Sequence, residues 1–282
     1  MNVPGRKTGV EVLHNTKTAF YPDGSSKITV CSSPIFRERG YEEVNKPLSA
    51  PSEKRTYNTD GDSRNDNVRR ARNAVFDMAL LNAFKYFLTI TIDPKNHLGL
   101  DRFDSVEVGK RVKKWLDNRV QTWDGFMYLL LPELHKDGAI HCHLLAAGIP
   151  SLVDSGTVIC PHFDKPVTRA TARKHGYDPD TLQTVYNVPS WTLGHSTAIE
   201  LYGESANVAK YVTKYITKDV EKIFGNFYYA GGHGLKRKPP FVLSDSAFFD
   251  IDARAYEVEN ARLSFKYINT PPTVSSDTAE TD

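Results

Sequence analysis

Two short stretches carry the residues with chemistry to offer. His141-Cys142-His143 lies inside the apolar run from Ala139 to Ala146, which reads as a β-strand. Alternation along a strand puts both imidazoles on one face with their Cα atoms about 7 Å apart, close enough to chelate one ion. Burying two polar rings on one face needs compensation, so a structural role competes with a functional one on these residues alone. Glu133 stands before the Asp137-Gly138 loop and can offer a carboxylate from the partner strand. Two nitrogens and a carboxylate leave coordination positions open. Such a set suits Mg²⁺ or Mn²⁺ as well as zinc, and an open position is what polarises a phosphate oxygen.

The second stretch runs from Val208 to Asp219. At about 100° per residue, Val208, Ala209, Val212 and Ile216, with Val220 and Ile223 beyond them, fall on one arc of a helical wheel. Tyr211, Lys214, Tyr215 and Lys218 form a stripe beside it, at spacings i, i+3, i+4 and i+7. Two phenol oxygens and two ammonium groups are thus presented together, next to the face that docks on a core. By itself this describes an amphipathic helix with boundary tyrosines and a solvated lysine edge.

The elements that must position these groups are legible nearby. Tyr86 to Asp93 is a β-rich run closed by Pro94. Leu88, Ile90 and Ile92 take one face, which belongs in a core. Phe87, Thr89, Thr91 and Asp93 take the other, which belongs over something polar. Phe126 to Glu133 and Ala139 to Ala146, separated by the Asp-Gly loop, read as a β-hairpin. A helix with a basic edge starts at Asn67 and buries Val68, Ala71, Val75, Met78 and Ala79. Another spans Ser105 to Val120, capped by Asp104 or Ser105, with Val108, Val112, Trp115 and Leu116 as its buried stripe. Val185–Val188 and Thr197–Leu201 read as further strands, and a last strand falls near 241–249.

Taken together, three segments resemble the HUH endonucleases, the rolling-circle replication initiators and relaxases. They are Phe87-Leu88-Thr89-Ile90-Thr91, then His141-Cys142-His143, then Tyr211-Val212-Thr213-Lys214 with Tyr215-Ile216-Thr217-Lys218. The run from Pro132 to His143 is similar to the metal-binding hairpin of geminivirus-type Rep proteins, where a Glu before the His pair completes the site. Two tyrosines four apart resemble the microvirus phage initiators. The resemblance covers roughly residues 80 to 240, and its strength lies in the order and spacing of the motifs.

The resemblance implies an α+β fold, with a central antiparallel sheet of about five strands flanked by helices. It implies a tyrosine attacking a DNA phosphodiester to give a 5′-phosphotyrosine and a free 3′-hydroxyl. A free phenol has a pKa near 10 and needs help to act at neutral pH. Lys214 and Lys218 would favour the phenolate or orient the phosphate. A Mg²⁺ or Mn²⁺ ion on His141, His143 and Glu133, with Asp219 as a further candidate ligand, would polarise the phosphate. Thr89 and Thr91 support the site from the neighbouring strand. Lys210, Lys236, Arg237 and Lys238 are candidate phosphate contacts. With two tyrosines, one can hold a 5′ end while the other attacks; the sequence does not order them. His135 and His195 receive no role.

The expected domains are a polar N-terminal arm (1–66), an endonuclease domain (67–250) with an insertion near 150–184, and a C-terminal extension (251–282) ending in a disordered tail. Within the arm, Ser52–Asn67 has linker composition and Tyr21-Pro22-Asp23-Gly24 marks a hairpin. With 36 Lys and Arg against 34 Asp and Glu, any basic footprint is local rather than global. Three scattered cysteines (Cys31, Cys142, Cys160) exclude a disulfide framework and fit a reducing cytoplasm, here a bacterial host's. No apolar leader or membrane-length run is present.

The expected function is an origin-nicking and strand-joining initiator of rolling-circle replication for a phage or plasmid. Its partner is single-stranded or hairpin origin DNA. The chain shows no helicase motif, so a host helicase and DNA polymerase would complete the work. A relaxase or single-strand transposase would use the same chemistry. The alternatives from other classes are a non-catalytic origin-binding module and a metal-stabilised structural domain.

Overall fold

A computed structural model describes residues 12–37, 61–93, 95, 99–203, 205–218, 222–246, 256–258 and 261–268. In chain order the elements begin β1 (Leu13–His14), β2 (Thr16–Phe20), β3 (Ser26–Cys31), β4 (Phe36–Arg37), α1 (Gly61–Leu81), β5 (Tyr86–Thr91) and α2 (Ser105–Thr122). They continue β6 (Met127–Leu134), β7 (Ile140–Ala147), β8 (Val153–Ile159), β9 (Val167–Thr168), α3 (Arg169–Lys174), β10 (Gln183–Asn187) and β11 (Ser196–Glu200). The last are α4 (Ser205–Lys218), β12 (Tyr229–Gly232), β13 (Phe241–Ser244), β14 (Tyr256–Val258) and β15 (Ala261–Ile268). The chain divides into two compact units, Thr59–Lys238 and Met1–Asn58 with Pro239–Asp282.

The larger unit is α+β, as the sequence leads one to expect. Its sheet has eight strands in the order β12-β6-β7-β5-β11-β10-β8-β9, and every neighbouring pair is antiparallel. That exceeds the expected five or so because residues 150–184 are not a patternless insertion: β8 and β9 extend the sheet and α3 packs beside them. Most of β8 is exposed, so its sequence lacks the alternation that a half-buried strand shows.

The two sheet faces are built differently. Leu88 and Ile90 of β5, Tyr128 and Leu130 of β6, and Cys142, Leu144 and Ala146 of β7 form one buried layer. The stripe Val108, Val112, Trp115 and Leu116 of α2 closes it, as its spacing predicts. Asp104 caps that helix, its carboxylate accepting from the Val106 and Glu107 amides at 2.9 and 3.1 Å. α4 packs against α1 and β6 on the opposite face, where Phe87, Thr89 and His143 point. α1 begins at Gly61, so the 61–67 end of the expected linker is helical, while 52–60 lies outside the described residues.

The end of β5 is fixed by the loop that precedes β11. Thr91 N–H donates to the His195 carbonyl at 2.9 Å, and Asp93 N–H to that of Leu193 at 3.0 Å. Trp191 Nε1 donates to the Thr91 carbonyl at 3.0 Å, and its ring meets Trp115 edge-on at 5.4 Å. Gly194 passes so close that a Cβ there would lie 2.2 Å from the Thr91 oxygen and 2.5 Å from the Asp93 nitrogen. Gly194→Ala is therefore expected to destabilise the chain by about 1–3 kcal/mol, measured by denaturant unfolding, because backbone rather than a flexible side chain must yield. An unchanged unfolding midpoint would contradict this packing.

The smaller unit holds a five-stranded sheet, β13-β2-β3-β15-β14, and the short pair β1-β4. β2 and β3 are the hairpin expected around Tyr21–Gly24, with Gly24 N–H donating to the Tyr21 carbonyl at 3.1 Å. The strand expected near 241–249 forms as β13, but it pairs with β2 and not with the eight-stranded sheet. The N-terminal segment is thus part of a sheet rather than an arm, and β15 of the C-terminal segment pairs with β3. The tail from 269 onward lies outside the described residues.

Candidate active site

The hairpin of β6 and β7 places Glu133 directly opposite His141, and Leu131 opposite His143. On the other side of β7, Thr91 pairs with His141 and Thr89 with His143. Paired residues of an antiparallel ladder share a face, so Glu133, His141, His143, Thr89 and Thr91 all stand on the α4 side. Cys142 points the other way, into the layer under α2. The turn that sets this register is held by Asp137, whose carboxylate accepts from the Ala139 amide at 3.0 Å and pairs with Arg102 Nη2 at 3.0 Å. The Ala139 bond, first among its partners, keeps the Asp137 carboxyl below its ordinary range.

Two of the three expected ligands already touch. His143 Nε2 lies 2.7 Å from Glu133 Oε2, and both side chains are largely shielded from water. A carboxylate only accepts, so Nε2 carries the proton here, and Nδ1 accepts from the Thr89 hydroxyl at 3.1 Å. Thr89 can equally accept from an Nδ1–H, so its hydroxyl serves either tautomer. Thr89→Val removes that partner while nearly keeping the volume. It is expected to cost about 1–2 kcal/mol of stability or site alignment, read as a slower strand cleavage with DNA affinity unchanged. Cleavage at the wild-type rate would show that the hydroxyl does not orient the ring.

His141 stands on the same face beside a second imidazole. His135 stacks on it with ring centroids 4.7 Å apart, and His135 Nδ1 lies 3.0 Å from Asp137 Oδ1. Burial, then the neighbouring His135 and His143, push the His141 pKa below the ordinary histidine value. The folded state therefore disfavours its protonation relative to the unfolded chain. Stability from this group is present above about pH 6.5 and falls as pH drops from there toward the depressed folded pKa. Between pH 8 and 5.5, wild type is expected to lose more thermal stability than His141→Gln; parallel melting curves would contradict the burial penalty.

Among the described residues, no three His, Cys, Asp or Glu side chains converge as a ready metal cluster. Glu133 and His143 bond with each other instead. The donor set, two imidazoles and a carboxylate on one face at adjacent register positions, still has the chemistry of a divalent-cation site. Asp219 lies outside the described residues.

α4 delivers the tyrosines to this face. The Tyr215 ring stacks on His143 at 4.1 Å, and Phe87 lies 5.5 Å from His143 and 6.1 Å from Tyr215. Tyr215 O–H donates to the Tyr211 oxygen at 2.8 Å. Burial first, then this bond and the nearby Glu133, push the Tyr215 phenol well above its ordinary pKa. Tyr211 is 46% exposed, with Phe87 edge-on at 5.5 Å. Lys214 Nζ lies 5.6 Å from the Tyr211 ring centroid. Lys210 is exposed on the same helix, and Lys218 is its last residue.

The remaining candidates are elsewhere. Lys236 is tied through its backbone to the Asn82 side chain, beyond the end of α1 and before β5 starts, at 2.8 Å in both directions. The exposed Lys236–Lys238 segment therefore hangs at the opposite end of β5 from Thr91 and His141. Arg237 Nη2 donates to the Ala230 carbonyl at 2.6 Å. Thr91 Oγ1 makes a long 3.4 Å bond to the His195 carbonyl.

Sequence reasoning overlooked three neighbours of the site. His135 follows Glu133 by two residues, and strand alternation could have placed it beside His141. Phe87 was visible on the threonine face but received no role. His195, 3.7 Å from Asp93, reaches this corner through the packing of the loop before β11, for which no local signal exists.

Residues 85–220 match a family model of replication-associated proteins, the ORF2 type. The matched segment contains β5, the Glu133–His143 hairpin and both tyrosines. It supports a role as a replication initiator and implies interaction with DNA. No curated protein and no solved structure matches the chain. Among the described residues, no helix is long and apolar enough to cross a membrane.

Proposed function

We propose that this chain nicks and rejoins single-stranded origin DNA through tyrosine attack, initiating rolling-circle replication with HUH-type chemistry. The observation that carries the reading is the 2.8 Å separation of the Tyr211 and Tyr215 oxygens, set against the His143–Glu133 pair. Two phenol oxygens this close address a single phosphorus atom.

Tyr211 acts first in this reading. Its oxygen accepts the hydrogen bond from Tyr215, which stabilises charge on Tyr211, while burial keeps Tyr215 a protonated donor. The Tyr211 oxygen bonds to phosphorus, the bond from phosphorus to the 3′ oxygen breaks, and that oxygen takes up a proton to become a 3′-hydroxyl. The 5′ phosphate stays on the tyrosine as an ester. A later 3′-hydroxyl attacks this ester, restores the phosphodiester and frees the tyrosine, so joining needs no ATP. Tyr215 takes the next 5′ end when its neighbour is occupied.

Mg²⁺ or Mn²⁺ held by His141, His143 and Glu133 would supply Lewis-acid polarisation of the scissile phosphate. Thr89 orients His143, and Lys214, with Lys218 on the same stripe, supplies positive charge where the phosphate docks. Lys210, Lys236, Arg237 and Lys238 hold the DNA backbone away from the reacting centre. Unwinding and synthesis fall to a host helicase and polymerase in the cytoplasm.

The test is to incubate the full chain and Mn²⁺ with single-stranded oligonucleotides tiling its own replicon, then extend the products with a polymerase. A new extendable 3′ end at one position is expected. If no oligonucleotide yields one, the nicking reading fails.

A further inference from the structure

We infer that the cavity on the far side of Tyr211 from His143 is a slot for one unstacked nucleobase of the single-stranded DNA, next to the phosphate under attack. This rests on the reading of Tyr211 as a nucleophile.

The cavity measures about 330 Å³ and lies between β11, the segment after it, and α4. That is the low end of small-molecule sites, about 300–1,000 Å³, and suits a single flat ring system. Ile199, Leu201 and Val212 give it an apolar lining. Phe87 lines it too, and the same ring stacks with His143, so Phe87 is the wall shared with the reacting centre. Tyr211 lines it as well, which puts whatever fills the slot beside the attacking oxygen.

At the rim stands Tyr202, 69% exposed for so large a ring. Its hydroxyl donates to Glu200 Oε2 at 2.9 Å, and Glu200 Oε1 faces Lys85 Nζ at 3.8 Å. The ring is thereby held in place while its body stays open to solvent, the arrangement of a stacking platform. Glu200 also argues against a phosphate as the occupant, since a carboxylate at the rim repels one. The amides of Gln183 and Asn207 line the edge and offer donors and acceptors of the kind that read base edges. Gln183 is itself positioned by donating to the Glu200 carbonyl.

The test uses binding as well as cleavage. Single-stranded oligonucleotides carrying 2-aminopurine, or an abasic site, at each successive position of the bound sequence are titrated into wild type and into Tyr202→Ala. At one position next to the nick, 2-aminopurine fluorescence should be quenched on binding and recover in Tyr202→Ala. An abasic site there should weaken wild-type binding about tenfold, the scale of one lost base–aromatic stack, with no further loss in the variant. Penalties that simply add, or quenching that survives Tyr202→Ala at every position, overturn the slot. Because quenching needs no cleavage, a chain that never nicks but shows the Tyr202-dependent quench would retain the slot and lose the nucleophile. A chain that nicks without the quench would do the reverse.

Discussion

The Tyr211→Phe, Tyr215→Phe double variant is expected to form no covalent adduct with DNA, with strand cleavage reduced about 10⁴-fold or more. That is the scale seen when a catalytic nucleophile is deleted outright. The folded state should barely notice: the change removes two hydroxyls bonded to each other near the surface, worth at most about 1 kcal/mol. The single variants should differ from one another. Tyr211→Phe removes the oxygen that accepts the stabilising bond and should slow the first cleavage. Tyr215→Phe leaves that oxygen in place and should chiefly impair transfer of a second strand. Single variants that behave identically in both steps would contradict the assigned order. A double variant that still cleaves would remove both tyrosines from the chemistry.

The second large effect is expected at His143, where the site's contacts concentrate. Glu133, Thr89, Tyr215 and Phe87 all meet its ring. His143→Ala should lower metal-dependent cleavage by at least about 100-fold, since even partners that only orient a ligand act on a 10–100-fold scale. DNA affinity should fall less than about threefold, because phosphate contacts supply most of it. The same change removes the imidazole partner of Glu133, so a lower thermal midpoint is also expected. Glu133→Gln provides the control, keeping shape and a hydrogen bond to His143 while removing the charge. If both variants cleave normally at saturating Mn²⁺, the His–Glu pair is structural.

Much of this site could be read before any coordinates. The alternation in Phe87–Thr91 was legible because one face is fully buried and the other is not, which leaves a period-two signal in the residue types. Glu133 opposite His141 followed from an Asp-Gly turn short enough to fix register. Tyr211 and Tyr215 shared a stripe because helical geometry allows nothing else. The contacts that give these groups their properties depend on how α4 docks. The stacking of Tyr215 on His143 and the direction of the Tyr215–Tyr211 bond arise from that docking, and no local pattern encodes it. Pairing between distant segments was equally invisible. β13 finds β2 across the length of the chain, and β8 forms on the sheet's margin without a hydrophobic face to announce it.

The account stands on one covalent bond. Wild-type protein should be incubated with Mn²⁺ and an oligonucleotide from its own replicon, internally labelled on the 3′ side of the nick. The mixture is then denatured, digested with protease and mapped by mass spectrometry. The expected result is a nucleotide 5′-phosphate attached to the peptide containing Tyr211, moving to Tyr215 in the Tyr211→Phe protein under prolonged incubation. Label that never survives denaturation with the protein, or that maps to a residue outside α4, would contradict it.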